Sequence, residues 1–152
     1  MGITYDLSVT LRPATTADLD FVWRVYAEGI GPYLSAYQSW KTVEQKPRFA
    51  RIYDPRHSAI VLCEGADAGF LTTVGYENTI VLQQFFIAEE FRSQGLGSTL
   101  LGRLREEWDE MAQPVSLAVL KNNPAQRLYR RFGFSVYWQN DSRLFMVRRP
   151  RG

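Results

Sequence analysis

The distribution of hydrophobic and polar positions along the chain predicts alternating strands and helices. Residues 8–12 alternate between polar and apolar side chains, which is typical of a half-buried strand. Thr15 and Asp18 then form a helix-start pair. Apolar residues follow at helical spacing: Leu19, Val22, Trp23, Tyr26 and Ile30. We expect this first helix to end near Gly29 or at Gly31-Pro32, because glycine and proline terminate helices.

The next part of the chain predicts one more helix and then consecutive strands. A second helix is expected with Pro47 in its first turn, where the missing N–H costs nothing. Three strands then follow, separated by short turns: strands at 58–64, 69–75 and 79–88, with turns at 65–67 and 77–78. Consecutive strands of this kind favour antiparallel pairing.

The second half alternates strands with helices. A glycine-containing turn precedes a strong amphipathic helix, whose apolar face is formed by Leu96, Leu100, Leu101, Leu104 and Trp108. A strand at 115–120, a helix that starts at Asn123-Pro124, runs to Phe132 and stops at Gly133, and strands at 134–138 and 143–147 complete the pattern. This order predicts an α/β (α+β) fold with a mixed, mostly antiparallel twisted sheet of about seven strands, at least one parallel pair, and helices on both faces.

Composition narrows the class of protein. The 152 residues contain no repeat or linker, so we expect a single domain over 1–152. The net charge is only +2, and its excess, at 127–131 and 148–151, is less dense than the basic stripe of a nucleic-acid binder, so no nucleic-acid partner is expected. Without a signal peptide or a membrane-length apolar run, we expect a cytoplasmic protein with no membrane partner. One cysteine, Cys63, and one histidine, His57, exclude disulfide and His/Cys metal frameworks, so no metal is expected.

The turn Arg92-Ser93-Gln94-Gly95-Leu96-Gly97 is the strongest chemical signal. A strand, a Gly-x-Gly turn and a helix start together present free N–H groups to an anion. The turn lacks the Gly-Lys-Ser/Thr end of a P-loop. It also lacks the third glycine and the downstream acid of a dinucleotide fingerprint. Both nucleotide interpretations are therefore weak.

Two motifs together resemble the GNAT superfamily of acetyl-CoA-dependent N-acetyltransferases. The first is the glycine turn, although Glu89 stands before it where a proline is common. The second comprises Asn122 to Tyr129 and Arg131-Phe132-Gly133-Phe134. The resemblance covers nearly the whole chain in element order. It implies an acyltransferase with acetyl-CoA as cosubstrate, in a cleft where the fourth and fifth strands splay apart.

The resemblance also implies which residues hold the coenzyme. Its pyrophosphate would lie on the turn from Arg92 and Ser93 onward, at the N–H groups of Gln94, Gly95, Leu96, Gly97 and Ser98. Arg92 would contact phosphate or brace the turn. The backbone of Phe86 and Ile87 would bind the pantetheine arm, and one of their N–H groups could polarise the thioester carbonyl. Asn122 or Asn123 would reach the arm or cap the helix, and Asn123 is the better cap because Pro124 follows it.

Tyr129 is the residue that the resemblance places nearest the chemistry. Its hydroxyl would donate to the departing thiolate, or its ring would simply pack against the sheet. The base that deprotonates the amine is open. Gln83 and Gln84 cannot act as bases, which leaves Glu28, Glu77 or an ordered water chain.

The acceptor would bind between the first two helices, as in similar proteins. The candidate contacts are Glu28, Tyr33, Tyr37, Trp40 and Gln84. The rings of Tyr33, Tyr37 and Trp40 suit an apolar or cationic amine, and these three residues could equally close the hydrophobic core. We therefore predict acetyl transfer to a primary amine, of a small molecule, by direct attack in a ternary complex. The alternatives are a protein or peptide N-acetyltransferase and a non-catalytic acyl-CoA-binding sensor. Residues 136–138 and 144–146 would allow a homodimer, and core packing explains them as well.

Overall fold

The computed structural model describes residues 8–37 and 42–151, with only the backbone described at 42–44. Its helices are α1 (Leu19–Leu34), α2 (Thr42–Ile52), α3 (Leu96–Met111) and α4 (Ala125–Arg131). Its strands are β1 (Val9–Pro13), β2 (Ser58–Cys63), β3 (Ala66–Gly75), β4 (Ile80–Ile87), β5 (Val115–Leu120), β6 (Ser135–Gln139) and β7 (Arg143–Arg148). None of the helices in these ranges is both long enough and apolar enough to cross a membrane.

One seven-stranded sheet runs through the molecule in the order β1-β2-β3-β4-β5-β7-β6. Every neighbouring pair is antiparallel except β4 and β5, which are parallel. The expected element order and the mixed, mostly antiparallel sheet are confirmed. β4 and β5 pair only through Ile80↔Val115 and Val81↔Ser116. Beyond Val81 the two strands separate, and this opening positions the site.

Apolar residues cover both faces of the sheet and form two cores. α3 and α4 pack on one face, where Leu101, Trp108 and Tyr129 are buried with residues of the central strands. α1 and α2 pack on the other face, where Val22 and Phe49 are buried against strand residues such as Phe70. The apolar face of α3 contains the five residues that the spacing predicts. The sheet therefore forms the middle layer between two layers of helices.

The predicted end of α1 is wrong, because the helix continues through Gly29, Gly31 and Pro32 to Leu34. Beyond the proline, the N–H of Ser35 still donates to the carbonyl of Gly31 (3.1 Å), so the helical bond pattern resumes. Leu34 is also buried, at 5% exposure. Burial of this last turn outweighs the missing proline N–H.

Two further predicted boundaries differ from the structure. Pro47 lies in the middle of α2 and not in its first turn, because the helix already begins at Thr42 in a polar stretch without apolar periodicity. The turn expected at 65–67 occupies Glu64 and Gly65, both with positive φ. Ala66 and Asp67 consequently belong to β3 and pair with Cys63 and Leu62.

Candidate active site

The separation of β4 from β5 opens a cavity of about 480 Å³ through the sheet. Residues of α1 line it on one side of the sheet, and residues of α4 together with Gly97 of α3 line it on the other. β4, β5 and Arg143 of β7 form the remaining walls. The volume lies within the range of small-molecule sites. The cavity therefore joins the two helical layers at the point where the sheet is incomplete.

The edge of β4 that faces the gap carries backbone groups that β5 does not pair beyond Val81. The N–H of Ala88 donates to the carbonyl of Ala68 (2.7 Å), and Phe86 pairs with Phe70 in the same register. Antiparallel pairing alternates along a strand, so the N–H and C=O of Phe86 point to β3 and those of Ile87 point to the gap. The geometry around Gly69 agrees, since a Cβ there would collide with the carbonyl oxygen of Phe86. Of the two predicted backbone contacts, Ile87 therefore presents its groups to the cavity.

The glycine turn forms the N-terminal end of α3. Ser93 and Gly95 have φ of 64° and 79°, left-handed conformations that turn the chain sharply into the helix. The first helical bond runs from the N–H of Thr99 to the carbonyl of Gly95 (2.9 Å). The N–H groups from Leu96 to Ser98 therefore have no helical acceptor. Such a turn fits an anionic group such as a pyrophosphate.

Two residues connect this turn to the cavity. Gly97 lines it, and a Cβ at that position would lie 3.3 Å from Cδ2 of Leu128 in α4. Arg92 also lines it, with its Nε donating to the carbonyl of Ile87 (3.0 Å). That bond braces the turn against the end of β4. The predicted residues Ser93, Gln94 and Gly95 are exposed at the outer end of the same turn.

Tyr129 of α4 is buried in the core that α3 and α4 form on one face of the sheet, and it lines the cavity. Only 8% of the residue is exposed, and its ring contacts that of Phe134 edge-to-face (5.9 Å between centroids). Among the described residues its hydroxyl has no hydrogen-bond partner. Burial raises the pKa of Tyr129 to about 12, so the hydroxyl stays protonated at neutral pH and can donate.

The two asparagines before α4 have different partners. Asn122 donates from Nδ2 to the carbonyl of Tyr33 (3.1 Å), which ties the β5–α4 loop to the end of α1. Asn123 lines the cavity, and its Oδ1 accepts the N–H of Ala125 (2.9 Å) as expected of a capping residue. Both therefore fix the rim of the cavity.

The structure brings only some of the predicted acceptor contacts to the cavity. Tyr33 and Gln84 line it. Glu28 lies outside the lining and pairs with Arg24 (3.1 Å), while Tyr37 is 41% exposed and also outside. Trp40 lies outside the described residues.

The described lining contains no candidate base. Glu77 is exposed in the turn between β3 and β4, away from the cavity. Among the described lining residues there is no Asp, Glu or His.

Three polar residues line the cavity that the sequence did not single out as contacts: Tyr26, Gln83 and Arg143. Tyr26 shares the helical spacing of α1 core residues, and Arg143 looks like an ordinary strand start. Arg143 reaches the cavity because β7 lies beside β5, with Arg143 opposite Leu120. The pairing of distant strands, which local pattern does not reveal, places it there.

Comparison with known proteins agrees with this geometry. The family model described as acetyltransferase (GNAT) domain matches residues 55–136, more than half of the chain. The chain belongs to the GNAT acetyltransferase family. It is an acyltransferase, and its cosubstrate is acetyl-CoA. No curated protein shows significant sequence similarity to it.

Solved structures of GNAT proteins share the fold along nearly the whole chain. The PaiA N-acetyltransferase of Thermoplasma acidophilum, solved with coenzyme A, is 18% identical with a TM-score of 0.74, over 93% of this chain and 99% of that one. An acetyltransferase of Thermus thermophilus is 22% identical (TM-score 0.72; 94% and 97% covered). The Escherichia coli ribosomal-protein-S18-alanine N-acetyltransferase is 20% identical (TM-score 0.68; 93% and 94% covered). At these identities the similarity establishes the fold and not the acceptor.

Proposed function

We propose that this acetyltransferase acts on a primary amine of a small molecule, by direct attack on acetyl-CoA in a ternary complex. The observation that supports it best is the hydroxyl of Tyr129. It is protonated and without a partner among the described residues, and it is open to the cavity that passes between β4 and β5. Because Arg148 Nη1 is the one buried side-chain N or O atom of the described residues without a partner, the Tyr129 oxygen is accessible from the cavity and can donate to a group bound there.

The coenzyme would lie across the gap in the sheet. Its pyrophosphate would bind the N–H groups at 94–98, at the positive end of the helix dipole of α3. The pantetheine arm would take the place beside β4 that β5 vacates and bind the N–H of Ile87, whose carbonyl already accepts from Arg92. Phe86 would contribute its ring rather than its N–H. Asn122 and Asn123 would shape the rim through the bonds that hold the β5–α4 loop.

The proposed reaction needs few protein groups. The amine nitrogen bonds to the thioester carbonyl carbon, the carbon–sulfur bond breaks, and sulfur leaves as a thiolate. The N–H of Ile87 faces the gap and would stabilise the carbonyl oxygen as negative charge develops there. Tyr129 would donate a hydrogen bond to the thiolate. Its pKa of about 12 lies above that of an ordinary thiol, near 8.5, which favours a hydrogen bond over complete proton transfer.

The amine proton would leave to water. The described lining has no carboxylate or imidazole, and Glu28 is engaged by Arg24 outside the cavity. Gln83 and Gln84 can orient the amine and a water molecule by hydrogen bonds, but they cannot accept the proton. The acceptor would therefore react as the fraction that is already neutral in solution.

Thiol release from acetyl-CoA across a panel of amines, amino acids, polyamines and peptides tests this proposal. We expect turnover with a small amine and little with peptides, because the cavity has the volume of a small-molecule site. Turnover with peptides alone would show that the acceptor is a peptide or protein and not a small molecule. Acetyl-CoA binding without turnover of any acceptor would point instead to a sensor.

A further inference from the structure

Arg143 stands at the acceptor end of the cavity in a fixed backbone position. Its N–H donates to Oδ1 of Asn140 (2.8 Å), and its carbonyl accepts the N–H of Asn140 (3.1 Å). Its β-sheet partner is Leu120, the last residue of β5. The side chain is half-buried and lines the cavity. The guanidinium therefore projects from a rigid part of the sheet.

This guanidinium has almost no partner within the described chain. Its one side-chain contact is a long one, from Nη1 to Oγ of Ser142 (3.5 Å). Three arginines of the chain, Arg12, Arg24 and Arg148, do reach carboxylate oxygens, at 2.8, 2.9 and 2.6 Å. Since a guanidinium is always charged and offers five donors, a half-buried one without a carboxylate is suited to bind an external anion.

Arg143 lies on the opposite side of the sheet from the glycine turn. Its positive charge acts on the hydroxyl of Tyr26, partly offsetting the larger effect of burial, which raises the pKa of Tyr26. The ring of Tyr26 contacts Phe86 and Phe49 in the α1/α2 layer (5.6 and 4.6 Å between centroids). The turn that would hold pyrophosphate starts α3, in the other layer. An anion bound by Arg143 is therefore part of the acceptor and not of the coenzyme.

The positive charge of the residues that line the cavity favours some amine acceptors over others. The described lining contains Arg92 and Arg143 but no carboxylate. A second ammonium group on the acceptor would meet the positive charge of two arginines and no counter-charge among the described lining residues. A carboxylate on the acceptor would instead meet a planar donor pair that binds it bidentately.

We propose that the acceptor is a small amino carboxylic acid, whose carboxylate binds Arg143 while its amine faces Ile87 and Tyr129. This inference rests on the proposed function and names its substrate class. It also replaces the cationic amine that the aromatic residues suggested, because a second cationic group would leave water without a carboxylate to pair with among the described lining residues.

The test compares acceptors that differ only at the carboxyl group. An amino acid, its carboxamide and the amine without the carboxyl group are assayed by thiol release. We expect kcat/KM to fall roughly 10- to 100-fold from the acid to the amide, the effect of one hydrogen-bonded charge pair. Arg143→Gln should abolish this difference and leave the KM for acetyl-CoA unchanged, and Arg143→Lys should restore part of it. Arg149→Gln, which removes an exposed arginine outside the cavity, is the matched control.

Several outcomes would overturn the proposal. A wild-type preference for the amide, a polyamine or a peptide would do so. An equal rise of the acetyl-CoA KM in Arg143→Gln would also do so, because it would place Arg143 on the coenzyme.

A second measurement does not depend on turnover. With coenzyme A present, the acid should raise the melting temperature of the parent and not of Arg143→Gln. If no acceptor reacts but this shift appears, the anion site stands and the proposed transfer fails. If neither appears, both fail.

Discussion

At the scale of single residues, Tyr129→Phe distinguishes a catalytic role of the Tyr129 hydroxyl from a packing role of its ring. The substitution deletes only the hydroxyl and keeps the edge-to-face contact with Phe134. We expect unchanged acetyl-CoA affinity and a fall in kcat of roughly 10- to 1,000-fold, bracketing the contribution of one proton-donating group. A thioester whose thiol leaves more easily should rescue the mutant more than the parent. Equal rates for mutant and parent with both donors would make Tyr129 a packing residue.

Gly29 tests how closely α1 must approach β4. A Cβ at this position would collide with the ring of Phe86, whereas a Cβ at Gly102 of α3 would meet only Phe132 at an ordinary 3.8 Å. Both glycines lie inside helices, where alanine alone would add about 1 kcal/mol of stability. We expect Gly102→Ala to raise the melting temperature and Gly29→Ala to lower it by overpacking, with a cost of about 1–3 kcal/mol before that gain.

The acceptor KM should also rise in Gly29→Ala, because Phe86 lines the cavity. Equal stabilisation by both alanines, measured by denaturant unfolding, would show that Phe86 moves aside without loss.

At the scale of elements, the glycine turn and α3 act together as the anion site. Gly97→Ala and Gly97→Glu both place a Cβ near the flexible end of Leu128 at 3.3 Å. Only the glutamate adds negative charge beside the free N–H groups. Acetyl-CoA should raise the melting temperature of the parent, less so that of the alanine variant, and not that of the glutamate variant. If acetyl-CoA raised the melting temperature of a folded Gly97→Glu protein as much as that of the parent, the pyrophosphate could not bind at this turn.

Helices and strands with a regular spacing of hydrophobic residues were predictable from the sequence. Boundaries that depend on tertiary packing were not. The face of α3 was predicted because five apolar residues repeat at helical spacing and all meet the sheet. The end of α1 was not, since Gly31 and Pro32 are local stop signals that the burial of Leu34 overrides. The start of α2 lies in a polar stretch that has no period to detect.

The same contrast holds for the candidate site. The glycine turn is continuous in sequence, so its place before α3 could be read directly. Arg143 reaches the cavity only because β7, and not β6, is the strand that pairs with β5 in the sheet. Glu28 and Tyr37 were placed there from the composition of one segment. In the structure Glu28 lies on α1 between lining residues but outside the lining, and Tyr37 lies beyond the end of α1.

At the scale of the whole molecule, the incomplete pairing of β4 and β5 joins two helical layers through one cavity. One layer supplies the helix start for an anion, and the other supplies Tyr26 and Tyr33 to the cavity that Arg143 also lines. Coenzyme and acceptor would therefore enter from opposite sides of the sheet and meet in the gap. Such an arrangement favours direct transfer, because no side chain needs to carry the acetyl group between two sites.

The pH dependence of the reaction tests the absence of a base in the described cavity. Only the neutral amine attacks, so kcat/KM for the acceptor should rise tenfold per pH unit below the pKa of that amine and level off above it. The burial that raises the pKa of Tyr129 to about 12 keeps its hydroxyl protonated, so no fall is expected below about pH 11. Two acceptors whose amine pKa values differ by about one unit should give midpoints that differ by the same amount. One midpoint shared by both acceptors would instead reveal a titrating protein group.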